Sequence, residues 1–83
     1  MTSEQIELMA EVEHNRWNME KLLLGYSKPT PEEEEKCKDN AVRKEYKTKR
    51  FVHTDIRPYY QLDEGTKKYD RCISECLPLI AEQ

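Results

Sequence analysis

Three short groups of polar and aromatic residues carry side chains that are able to do chemistry. The first is Glu13-His14-Asn15-Arg16-Trp17, in which Glu13 and Trp17 are four residues apart and therefore share one side of a helix. A carboxylate on an apolar helix side needs a cation or a hydrogen-bond donor, because burial without one is costly. The group is therefore either a partly buried ion pair beside a core tryptophan or a polar pocket floored by the indole.

The second group lies in a proline-bearing segment and contains His53, Asp55, Arg57 and Tyr59. A histidine two residues from an aspartate is able to act as an oriented base or to supply two metal ligands. The same pair also suits a structural role, in which hydrogen bonds to the backbone tie a loop to a helix. Spacing alone leaves these alternatives open.

The third group is Lys67, Lys68, Asp70 and Arg71, near the start of the last predicted helix. It is either part of a polar site or a solvated charged surface. Around these groups the usual signs of an enzyme are missing, because two glycines are too few for a phosphate-binding loop and no serine or cysteine stands in a nucleophile motif. We therefore expect no catalytic residue and no cofactor.

The cysteines do not indicate a metal site or a disulfide framework. Cys72 and Cys76 are four residues apart on one predicted helix, but no second pair completes a tetrahedral zinc site. With Cys37 they make an odd number, and no secretory signal is expected from the acidic, polar start of the chain. We expect small buried thiols and a cytoplasmic location.

The first group must be positioned by a long first helix. Thr2 or Ser3 is the expected N-cap, and Gly25 is the expected stop after Leu24. Apolar residues follow this helix in two stripes at helical spacing. One stripe is Ile6, Met9, Glu13, Trp17 and Leu24, and the other is Leu8, Val12, Met19, Leu22 and Leu23.

A second helix is predicted over 31–48. Thr30-Pro31 and the four glutamates that follow are typical of a helix start, and basic residues gather toward its end, which suits the helix dipole. Its apolar content is thin and predicts a narrow packing seam, made by Cys37, Ala41, Val42 and Tyr46.

Residues 51–62 predict an ordered extended loop with at most a short strand, because β-branched and aromatic residues dominate and Pro58 disfavours a helix through Arg57. Thr66 is the expected cap of a last helix that runs to about Leu77, where Pro78 bends or ends it. The expected inward side of this helix is Tyr69, Cys72, Ile73 and Cys76 or Leu77, and Leu79 and Ile80 are expected to pack beyond it.

The composition predicts one small, mainly α domain over residues 1–83, with three helices and the extended loop between the second and third. The chain is 36% hydrophobic and 37% charged, with a net charge of −3, so its core must be small. We therefore expect its folding stability to depend in part on a partner or a second copy. No apolar run is long enough for a membrane span. The basic stretch 43–50 is outweighed by the acidic total, so we do not expect nucleic-acid binding.

Taken in order, Glu13-His14-x-Arg16-Trp17, Gly25-Tyr26, His53-x-Asp55-x-x-Pro58-Tyr59-x-x-Leu62 and Lys67-x-x-Asp70-Arg71 resemble the ryanodine-receptor repeat domain in its stand-alone bacterial and phage form. The resemblance covers about residues 8–80. It implies a small helical module that is not an established enzyme and that occurs in regulatory settings, where it is proposed to sense a nucleotide-like ligand.

Two functions follow as expectations. In one, a non-enzymatic sensing or regulatory module pairs an anionic, nucleotide-like ligand with Arg16, Lys67 or Arg71 and stacks it on Trp17 or Tyr59. The full expected site is Glu13, His14, Arg16, Trp17, His53, Asp55, Tyr59, Lys67, Asp70 and Arg71. In the other, the same polar residues form a structural network, and the chain is a self-associating interaction module.

Overall fold

The protein is mainly α-helical, as the sequence predicts. A computed structural model describes residues 2–81, with the side chains of all of these except 73, 74 and 76–81. Its α-helices are α1 (Ser3–Leu23), α2 (Pro31–Lys36), α3 (Asn40–Glu45) and α4 (Glu64–Ala81). A π-helical turn at Tyr46–Arg50 follows α3, and a 3-10 turn at Tyr59–Gln61 precedes α4. Within residues 2–81 the extended structure amounts to a single parallel bridge between Ser27 and Val52.

Both ends of α1 are fixed by residues that the sequence marks. The Gln5 amide donates to the Thr2 hydroxyl at 3.1 Å, and the Thr2 amide donates to the Gln5 side chain at 2.8 Å, which is a reciprocal N-terminal cap. At the other end, the Gly25 amide bonds to the Leu22 carbonyl and the Tyr26 amide to the Lys21 carbonyl. This is a Schellman motif, and Gly25 supplies the positive φ of 94° that it needs.

The predicted helix over 31–48 is wrong as a single element, because the chain breaks it after Lys36. Thr30 and Glu33 form the expected capping box of α2. The Asp39 carboxylate then accepts from the amides of Ala41 and Val42, so it opens a new helix instead of continuing the old one. Residues 2–81 therefore contain four α-helices where three helices were expected.

The start and the inward side of α4 also differ from expectation. The helix begins at Glu64, and the Asp63 carboxylate accepts from the Thr66 amide at 2.7 Å, so Asp63 caps it in place of Thr66. Tyr69 and Cys72 are exposed instead of packed, because the packed side in this part of α4 is polar. The helix passes Pro78 and ends at Ala81. The predictions for the side chains of Ile73, Cys76, Leu77, Leu79 and Ile80 lie outside the described side chains.

The chain divides into two compact units, Met1–Trp17 with Pro58–Gln83, and Asn18–Arg57. The first unit has a small core of Ala10, Tyr59 and Leu62. The second packs Cys37, Tyr46 and Val52 together with partly buried Val42. Three of the four residues of the predicted seam therefore pack, whereas Ala41 is exposed. That the whole of 1–83 behaves as one domain stays a prediction.

Candidate functional site

The first unit contains a polar cluster that is organised by one side of α1. Glu7, Ala10, His14 and Trp17 follow one another at three- and four-residue steps and therefore share that side. Ala10 is fully buried and His14 is 2% exposed. A small residue at position 10 lets neighbouring groups approach the helix closely, so the polar side chains on either side of it are held against the core of the unit.

Arg71 of α4 is the centre of charge in this cluster. Its Nε donates to Oε1 of Glu7, and its Nη1 donates to Oε2 of Glu64 at 2.9 Å. The guanidinium hydrogen bonds hold the pKa values of both carboxyl groups below their ordinary range, and the two carboxylates in turn raise the pKa of Arg71. The arginine that was expected to meet an anionic ligand already binds two carboxylates of its own chain.

Tyr59 and Lys67 extend the cluster. The Tyr59 hydroxyl donates to Oε2 of Glu7 at 3.0 Å, and burial, followed by this hydrogen bond, raises the pKa of Tyr59. The Lys67 ammonium lies 5.2 Å from the centre of the Tyr59 ring and 3.7 Å from Oε1 of Glu64, which is cation–π and ion-pair distance. Glu7 and Glu64 therefore hold the cations and the phenol together.

His14 and Asp70 form a buried polar pair. Nδ1 of His14 lies 3.3 Å from Oδ2 of Asp70, and their side chains are 3% and 11% exposed. The imidazole stacks on the Trp17 indole, with ring centres 5.4 Å apart and planes 18° apart. Its centre is also 6.4 Å from that of Tyr59. The pair thus joins α1 to α4 inside an aromatic setting.

Glu13 and Arg16 bind each other beside this cluster. The Arg16 Nε donates to both carboxylate oxygens of Glu13 at 3.1 Å, and Nη2 donates to Oε1 at 2.8 Å. This hydrogen bonding holds the pKa of Glu13 below its ordinary range. The expectation of a glutamate–arginine pair near Trp17 is met.

His53 and Asp55 belong to the second unit. The Asp55 amide donates to Nδ1 of His53 at 3.2 Å, and the His53 amide donates to the Ser27 carbonyl at 3.0 Å. Burial lowers the pKa of His53. These bonds place the histidine in a local backbone turn, whereas the structural role considered for it was a tie between this loop and a helix.

Eight of the ten expected site residues therefore fall in the first unit, and His53 and Asp55 fall in the second. Sequence reasoning did not find Glu7 and Glu64, the two carboxylates on which Arg71 depends. The sequence signal for Glu7 is its spacing, because it shares a helix side with Ala10, His14 and Trp17. Within the described residues, no three His, Cys, Asp or Glu side chains are grouped to hold a metal ion.

A different side of α1 is apolar and exposed. We call it the α1 stripe, and it consists of Leu8, Val12, Met19 and Leu22. Their exposed fractions are 63%, 60%, 58% and 50%. Because α1 is one continuous helix, these positions share a side that lies away from buried Ala10 and His14. The second of the two predicted stripes therefore remains on the surface, with Leu23 at its margin also exposed.

Comparison with known proteins yields no assignment. No protein-family model matches the chain, and neither a curated protein nor a solved structure matches it significantly. The resemblance to the ryanodine-receptor repeat domain therefore stays a prediction. None of the helices in the described part of the chain has both the length and the apolar character needed to cross a membrane.

Proposed function

We propose that the chain is a non-enzymatic interaction module that self-associates through the α1 stripe, and that its polar cluster is a structural network. The observation that carries the proposal is the exposure of four large apolar side chains along one side of α1. An exposed row of large apolar side chains is typical of a contact region, because its exposure to water is unfavourable and its burial against a partner is favourable.

The pairing within the polar cluster supports the same conclusion. Arg71 binds Glu7 and Glu64, and Arg16 binds Glu13. An anionic ligand that used either arginine would compete with these carboxylates for the positive charge of the guanidinium. Because the charge of Arg71 is already balanced by Glu7 and Glu64, the cluster is better suited to holding α1 and α4 together.

The test is self-association of the full chain, followed by analytical ultracentrifugation over a wide concentration range. Val12→Lys places a charge in the middle of the stripe and should shift the chain to monomer. Tyr69→Lys, on exposed α4 surface, is the matched control and should associate like the parent. A parent chain that stays monomeric at the highest concentration, or equal association by both variants, would contradict the proposal.

Anion sensing is the second candidate, and the position of Lys67 over the Tyr59 ring favours it. A nucleotide-like ligand would stack on Trp17 or Tyr59 and exchange with Glu7 or Glu64 for the cations. Thermal unfolding against a nucleotide panel tests this, since ligand at ten times its dissociation constant adds about 1.4 kcal/mol to stability. Stabilisation by one nucleotide that is lost in Arg71→Ala would support sensing, and a flat panel would reject it.

The proposal includes a cytoplasmic location. Cys37 and Cys72 are free thiols among the described residues, and free cysteines are typical of a reducing compartment. Burial raises the pKa of the Cys37 thiol, so this residue is a packed and unreactive one.

A further inference from the structure

We infer that the partner on the α1 stripe is a second copy of this chain, with the two α1 helices packed parallel and in register. This inference rests on the proposed function and adds the orientation of the partner. It starts from the spacing along α1, where Leu8, Val12, Asn15, Met19 and Leu22 are separated by steps of four, three, four and three residues. That alternation is the a/d pattern of a two-stranded coiled coil.

The residue types at these positions favour two parallel strands. Leu8 and Leu22 occupy the outer d positions, Asn15 the middle one, and Val12 and Met19 occupy the a positions. Leucine at d with a β-branched residue at a favours a parallel dimer over larger assemblies. Ala10 and His14, which are buried, fall outside the a and d positions, so the pairing would leave the core of the first unit undisturbed.

Asn15 is the one polar residue in this repeat, and it sets the register. Because d residues face each other in a parallel pair, the two Asn15 amides meet and hydrogen bond to one another. In an antiparallel pair a d residue faces an a residue, and each amide would face Val12 or Met19 of the other copy. An amide that faces an apolar side chain in the contact has no hydrogen-bond partner there, which is unfavourable, so the pairing of the two amides favours the parallel arrangement in register.

The flanking charges are complementary in the same arrangement. Glu11 stands at a g position and Arg16 at the following e position, and both are exposed. In a parallel pair the g residue of one helix meets the e residue five positions later in the other. Each Glu11 would then meet the Arg16 of the second copy, next to the existing Glu13–Arg16 pair. The dimer would contain two such contacts.

The repeat covers about two heptads, which is short for an isolated coiled coil. Here, however, α1 is already ordered by its own caps and by packing of its opposite side around Ala10. Association therefore does not have to supply the free energy that helix formation costs a free peptide.

A charge exchange tests the orientation. Glu11→Arg alone and Arg16→Glu alone place like charges opposite each other in a parallel homodimer, and each should weaken dimerisation about tenfold. An equimolar mixture of the two variants restores both Glu–Arg contacts and should dimerise like the parent. Glu75→Arg, on exposed α4, is the matched control and should leave the dissociation constant unchanged. Circular dichroism checks that each variant is folded.

The outcomes separate the two proposals. A dimer that Val12→Lys abolishes, but that the charge mixture does not restore, would overturn the parallel arrangement and leave self-association through the α1 stripe standing. A parent chain that remains monomeric would overturn both.

Discussion

Removal of the Asp70 carboxylate tests the view that the polar cluster holds the first unit together. Asp70→Ala leaves the His14 imidazole, 2% exposed, without the carboxylate that lies 3.3 Å from Nδ1. Loss of one partner of a buried hydrogen-bonded pair costs about 1–3 kcal/mol, and more when a charge is stranded. Since the Asp70 side chain is 11% exposed, water is able to reach part of the site, and we expect about 2 kcal/mol.

This loss is large for a chain of this size. A total stability of roughly 0.05–0.15 kcal/mol per residue corresponds to about 4–12 kcal/mol for 83 residues. A loss of about 2 kcal/mol should lower the thermal midpoint by roughly 8–16 °C and the urea midpoint by about 1–2 M. Asp70→Asn keeps the shape and a hydrogen-bonding group, so its effect should be roughly half as large.

Trp17 provides the assay. It is the sole tryptophan and stacks on His14, so its fluorescence reports on the unit that contains the pair. Urea titrations of the parent, His14→Ala, Asp70→Ala and the double variant form a double-mutant cycle. We expect a coupling of about 1 kcal/mol or more between the two residues. Glu75→Ala, on exposed α4, should change stability by less than about 0.5 kcal/mol.

Two results would refute the reasoning. If Asp70→Ala and Glu75→Ala unfold at the same urea concentration, the pair contributes no stability and the polar cluster is not a structural network. If both single variants are destabilised but their effects add without coupling, each side chain acts through other neighbours. In either case the displacement of carboxylates by an anionic ligand would become the better account of the cluster.

Two further predictions follow from the same structure. The carboxyl groups of Glu7 and Glu64 have pKa values lowered from 4.5 by Arg71, so their contribution to stability is complete above that pH and is lost as pH falls through their folded pKa values. The urea midpoint should therefore fall in acid, and fall less in Arg71→Met; an equal fall in both would contradict the assignment. Gly25→Ala should lower the folding stability by about 1 kcal/mol, because alanine is strained at a φ of 94° although nothing lies within 4 Å of the added methyl. A thermal unfolding scan measures this loss, and an unchanged midpoint would show that the turn relaxes.

The sequence predicts α1 well because both of its ends are encoded locally. Thr2 and Gln5 are three residues apart and cap each other, and Gly25 supplies a backbone conformation that other residues rarely adopt. The break between α2 and α3 is also local, but it depends on a competition that composition does not reveal. Asp39 is equally able to stand in a helix or to cap one, and no glycine or proline marks the choice.

The candidate site was predicted only in part, because its partners come from distant segments. The sequence groups Lys67, Asp70 and Arg71 correctly, yet it does not indicate that Glu7, 64 residues away, is the acceptor for Arg71. It also places His53 with them, whereas that residue makes local bonds in the second unit. Periodicity identifies which residues share a helix side, but it does not say which side meets the rest of the chain.

The two sides of α1 combine composition and burial in an unusual way. The side with Ala10 and His14 is polar or small and yet buried, while the side with Leu8 and Val12 is apolar and yet exposed. A monomer that folded only for its own stability would gain from the reverse arrangement, since apolar burial is the main favourable term in folding. The side facing the core is instead stabilised by specific polar pairs, which leaves the apolar side available for another helix. A helix with these two sides fits the proposed self-association of the chain.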